Sequence, residues 1–96
     1  MLVRLLPAPL RKALDLRDAF NRQASGQATP QDKTMILSQN RYWNQLALRR
    51  STLSPASKKR IEARRNELAF LIQRAEKAND QYKSAKLWAE WFGLTV

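Results

Sequence analysis

The sequence predicts an all-α protein: a long antiparallel helical hairpin, coiled-coil-like along its seam, with a shorter N-terminal helix packed at its base. Three observations carry that expectation. From Ile61 a 3-4 step visits Leu68, Leu71, Ala75, Ala78, Tyr82, Ala85, Ala89 and Phe92, with Arg64 as the one charged intruder, and no glycine or proline interrupts it before Gly93. A second 3-4 step runs through Asp32, Ile36, Gln39, Trp43, Leu46, Arg50 and Leu53. Alternating apolar and polar runs that would mark strands are absent, and Gly26 and Gly93 adjoin helical patterns rather than hairpin turns.

With 96 residues, the chain makes one small domain. Chains of this size bury only about 60–65% of their unfolded surface, so seams between helices are expected rather than a thick core.

Residues 1–8, with Leu2, Val3, Leu5 and Leu6 around a single Arg4, read as an apolar arm laid along the helices, and Pro7-Ala8-Pro9 as a stiff corner. The arm is basic and poor in acids, like a mitochondrial presequence, but two prolines interrupt it and serine enrichment is missing. A cytoplasmic location is expected, with the mitochondrial matrix as the lesser alternative.

The first helix is expected over residues 9–24, with Ser25-Gly26 as its stop. Leu10, Ala13, Leu14, Phe20 and Ala24 share one face, flanked by Leu16; Arg11, Asp15, Asp18 and Arg22 fill the opposite one. Residues 25–29 form a linker. Thr29-Pro30-Gln31-Asp32 then signals a second start, a capping box with aspartate where glutamate is usual. The second helix is expected over 30–53. After a short turn, Ser54-Pro55 opens a third over 55–92, on the order of 55 Å long if unbroken.

So short a connection predicts antiparallel neighbours. Counting outward from it pairs Leu53 with Ile61, Arg50 with Arg64, Leu46 with Leu68 and Trp43 with Leu71. Beyond Tyr82 the third helix outlasts the second, and the first helix has the apolar face to cover that end.

The chain holds 18 Lys and Arg against 8 Asp and Glu, a net charge of +10. A balance this basic points to polyphosphate, an anionic surface or an acidic protein face. Cysteine and histidine are absent, which excludes disulfides, thiolate or imidazole metal sites and histidine-based acid–base catalysis. The acids are scattered, and pairs such as Arg11–Asp15, Asp18–Arg22 and Asp80–Lys83 read as helix-surface pairs, worth roughly a few tenths of a kcal/mol each. Neither an enzyme nor a cofactor is expected. No apolar run reaches the roughly 20 residues of a membrane span.

Two stretches are candidates for function. Between residues 49 and 65 stand Arg49, Arg50, Lys58, Lys59, Arg60, Arg64 and Arg65 against Glu62 alone, so seven minus one leaves +6. Ser51, Thr52, Ser54 and Ser57 offer hydroxyl donors beside them, a combination suited to phosphate or to an acidic partner. The second stretch is aromatic, with Trp88, Trp91 and Phe92 at the end of the third helix and Phe70 behind its seam. These read as core or as docking residues; Phe70, Trp88 and Trp91 are the docking candidates.

The function expected is therefore a non-enzymatic helical protein that binds nucleic-acid phosphates, or sits in a nucleoprotein complex, through its hairpin tip. No evident recognition helix clusters base-reading side chains, so the grip would not be base-specific. The alternative is a modulator or inhibitor docked on a larger DNA- or RNA-processing enzyme.

Overall fold

A computed structural model describes residues 6–94 as four α-helices: α1 (Ala8–Ala24), α2 (Pro30–Arg50), α3 (Pro55–Lys77) and α4 (Gln81–Phe92). No strand occurs among these described residues, and no helix is long and apolar enough to cross a membrane. Of the expected arm, residues 1–5 lie outside the described part. Leu6 is buried with Leu14 and Ala85, and Ala8 already opens α1.

The starts of α2 and α3 reflect their local chemistry. The Thr29 hydroxyl accepts from the Asp32 amide at 3.1 Å, and the Asp32 carboxylate accepts from the Thr29 amide at 3.0 Å, closing the capping box. Ser54 caps α3 through the Ser57 amide. At the end of α1, Gly26 takes a φ of 76°, and the amides of Gly26 and Gln27 return to the carbonyls of Gln23 and Arg22.

The expected unbroken helix over 55–92 is corrected. It stops at Lys77 and restarts at Gln81. Asn79 adopts φ 57°, a left-handed conformation that asparagine tolerates better than other non-glycine residues. The amides of Asn79 and Asp80 return to the carbonyls of Glu76 and Ala75, the same closure that glycine makes at the end of α1. Asp80 then caps α4 by accepting from the Lys83 amide at 3.1 Å. Asn-Asp thus supplies a stop and a start without glycine or proline.

The corner redirects α4 onto α1. Ala13 and Leu16 of α1 bury against Ala89 and Phe92 of α4, with Leu10, Phe20, Met35 and Trp43 around them. Phe92 is 2% exposed, and burial of such a ring stabilises by roughly 1.5–3 kcal/mol. Its centroid lies 5.8 Å from Phe20, 6.1 Å from Trp43 and 5.4 Å from Trp88, an aromatic cluster at the base. The Gln39 amide donates to the Phe92 carbonyl at 2.9 Å, satisfying a backbone group at the end of α4. Gly93, at φ 73°, closes that end, and a side chain there would meet the Tyr42 ring.

The expected hairpin seam between the second and third helices is not seen. The extended helix packing runs α1 on α4, α1 on α2, and α3 on α4. Helix α2 ends at Arg50 rather than residue 53, and α3 leaves the turn without a continuous packed seam against it. The physical reason lies in the corner. Once α4 folds back, Ala89 and Phe92 occupy the apolar ground between α1 and α2, and α3 goes with α4. The radius of gyration, 14.4 Å, exceeds the ~12.5 Å of a compact domain of this length.

Candidate nucleic-acid interface

The head of the molecule is the turn between α2 and α3 with the adjoining ends of both helices. Arg49, Lys58, Lys59 and Arg60 are exposed there and Arg50 is half-buried. Among the described residues, no carboxylate lies within the 4.0 Å ion-pair distance of any of these five. The two other arginines expected in this set are engaged internally. Arg64 makes a two-pronged contact with Glu90 of α4, Nε to Oε2 at 2.6 Å and Nη2 to Oε1 at 2.8 Å, and also pairs with Glu67. The bonds to Glu90, and then to Glu67, raise the Arg64 pKa, and the same contact to Arg64 lowers that of Glu90. The Arg65 guanidinium lies 4.1 Å from the centroid of the Trp91 ring, a cation–π contact.

The hydroxyl groups of the turn are mostly spent on the turn itself. Ser51 donates to the Leu48 carbonyl at 2.6 Å, Thr52 to the Arg49 carbonyl at 3.0 Å, and Ser54 to the Ser57 hydroxyl at 3.1 Å. They close the end of α2 and the start of α3 rather than waiting for a ligand. Charge, not hydroxyl donors, is therefore what the head presents.

The docking candidates divide. Trp88 and Trp91 are half-buried and edge-to-face at 6.5 Å, and both support the Phe92 cluster. Trp88 Nε1 donates to Glu76 at 2.9 Å, and Glu76 also receives Ser84 at 2.9 Å and Arg17 at 3.0 Å. This carboxylate ties α1, α3 and α4 together across the corner. Burial opposes its charge, but the bonds from Trp88, Ser84 and Arg17 outweigh burial and leave its pKa below the ordinary value. Phe70 alone of the three docking candidates stands exposed, at 58%, with Arg74 over its ring.

One feature of the head lay hidden in the sequence. Because α2 and α3 diverge, a groove opens between them. A bay of 490 Å³ near the turn includes Trp43, Leu46, Ala47, Arg50, Lys58 and Arg65 in its walls. A second bay of 230 Å³ continues toward α4, over Ile61, Leu68 and Trp91, and shares Trp43, Leu46, Arg50 and Arg65 with the first. The 3-4 steps identify most of these residues as inward-facing, but their expected partners were one another.

The described residues contain no group of three or more acidic side chains placed to hold a metal ion. Comparison of the chain with protein-family models, curated proteins and solved structures finds no match.

Proposed function

We propose that this is a small non-enzymatic protein that binds nucleic-acid phosphates through the head, without reading bases. One observation carries the proposal: Arg49, Arg50, Lys58, Lys59 and Arg60 are gathered at one turn with no described carboxylate in ion-pair range. Arg17, Arg22 and Arg64 have carboxylate partners, while cations such as Lys33, Arg41 and Lys86 also have none in range among the described residues. What distinguishes the head is that five such cations lie together at one turn. Uncompensated like charges at one end repel each other and raise the local potential, and a polyphosphate relieves that repulsion by releasing its own counterions.

The test is binding to duplex DNA and to RNA from about 50 to about 300 mM salt. Affinity should fall steeply with salt. Changing Arg49, Lys59 and Arg60 together to Ala should reduce the log–log salt slope by about two to three, roughly one for each phosphate no longer neutralised, with helicity unchanged. An affinity flat across that salt range would end the proposal.

Protein docking, as a modulator of a larger nucleic-acid-processing enzyme, is the second reading. The observation favouring it is the open groove between α2 and α3, whose floor is apolar.

A further inference from the structure

The groove shares only part of its cations with the outward set at the head. Arg50, Lys58 and Arg65 line the groove, whereas Arg49, Lys59 and Arg60 do not. Leu46 and Ile61 are only half-buried, so faces patterned for burial stand without a partner. The one described carboxylate lining the groove, Glu90, is held by Arg64.

We infer that this groove receives an acidic amphipathic helix of a partner protein. Its apolar stripe seats over Leu46 and Ile61, and its carboxylates meet Arg50, Lys58 and Arg65. The two bays join into one trough, and helical side chains at i, i+3 or i+4, and i+7 present anchors to such a trough in succession. Charge selects an acidic occupant. A second copy of this chain would bring another +10 toward basic walls. A nucleic-acid strand would need free aromatic faces for its bases. Trp43 is instead stacked on Phe92 and tilted against Phe20, and Trp91 is covered by Arg65. Leu46 and Ile61 on the floor suit leucine-like knobs rather than bases.

The probe is a synthetic helical peptide with leucine at those spacings and glutamate between them. Its controls are a scrambled peptide of the same composition and a single-stranded oligonucleotide. Amide shifts of Leu46, Ala47, Ile61 and Leu68, which line the bays and are not among the head cations, report occupancy of the groove. The patterned peptide should move these residues and bind about tenfold or more tightly than the scrambled one, the difference coming from apolar burial. Ala47→Trp, an exposed position that fills the larger bay, should weaken the peptide about tenfold without loss of helicity. Ile61→Asp should do the same by placing a charge on the floor. The Arg49, Lys59 and Arg60 triple alanine variant should bind the peptide as the parent does. Equal binding of the scrambled peptide, undiminished binding by folded Ala47→Trp, or oligonucleotide shifts at Leu46, Ile61 and Leu68 as large as the peptide's would each overturn the inference. A protein that takes the peptide but ignores nucleic acid would instead defeat the phosphate grip and leave the groove assignment standing.

Discussion

At the base of the molecule Arg17 reaches Glu76 and Arg22 closes on Asp32, and four aromatic rings share one cluster. At the head, Arg49, Lys58, Lys59 and Arg60 are exposed, and Leu46 and Ile61 are covered only in part. The residue types are alike; their circumstances differ. At the base three helices converge, so a side chain leaving one finds a partner on another. At the head two helices leave a short turn and separate, and nothing described in the chain completes them. A region satisfied internally contributes stability, whereas one left with charge and apolar surface is the region to examine for binding.

The largest effect expected from breaking this contrast is Phe92→Ala. Removing the ring from the centre of the cluster should cost roughly 3–5 kcal/mol, a large part of the stability of a small domain. Urea unfolding measures it. The head substitution Ala47→Trp should by comparison change stability by no more than about 0.5 kcal/mol, as expected of an exposed position.

Next in size is the corner. Asn79→Ala places a less tolerant residue at φ 57° and should cost about 1 kcal/mol, whereas Asn79→Gly should be neutral or stabilising. If Asn79→Ala instead raises stability, α3 and α4 prefer a continuous helix and the corner is not the favoured state.

Acid should loosen the base. Bonds from Arg22, then from the Thr29 amide, hold Asp32 below the ordinary carboxylate range, and Glu76 is also lowered. Both groups bind protons more weakly folded than unfolded. Their stabilisation is full above the unfolded values, near pH 4, and is lost as pH falls through the folded ones. The melting temperature should therefore decline below about pH 4, and Glu76→Gln should flatten that decline. An unchanged slope in this variant would show that the carboxylate is not stitching the corner.

The smallest effect separates engaged from free arginines. Arg64→Ala should leave the salt slope for nucleic acid nearly unchanged, because Glu90 and Glu67 already compensate that charge. Arg49→Ala should lower the slope by about one. Equal reductions in the two variants would remove the distinction.

Much of the architecture was legible along the chain. Asp32, Ile36 and Gln39, taken from the 3-4 step of α2, are all buried, as are Leu68, Ala75, Ala85, Ala89 and Phe92 from the longer step. The capping box at Thr29 and the cap at Ser54 arise from contacts three residues apart, which local sequence contains in full. Arg64 shows the opposite case. Glu67, three residues on, is a partner the sequence contains, but Glu90, 26 residues on, comes near only when the helix breaks. The break itself is hard to see in the sequence because Asn79-Asp80 lacks glycine and proline, although asparagine can take the left-handed turn and aspartate can cap the next helix.

Sequence alone therefore determined which faces of the helices are apolar, where two of them start, and that +6 gathers around one turn. Those properties come from side-chain periodicity, short-range hydrogen bonds and composition. Tertiary structure decided what covers each face. The sequence already points to the first helix as the cover for the end that holds Phe92, and α1 packs there, but only the fold-back brings Trp43 of α2 onto the same ring. The fold-back gathers Phe20, Trp43, Trp88 and Phe92 into one cluster and joins three helices through Glu76. Those contacts span long separations in the chain, and the same choice leaves α2 and α3 apart at the head.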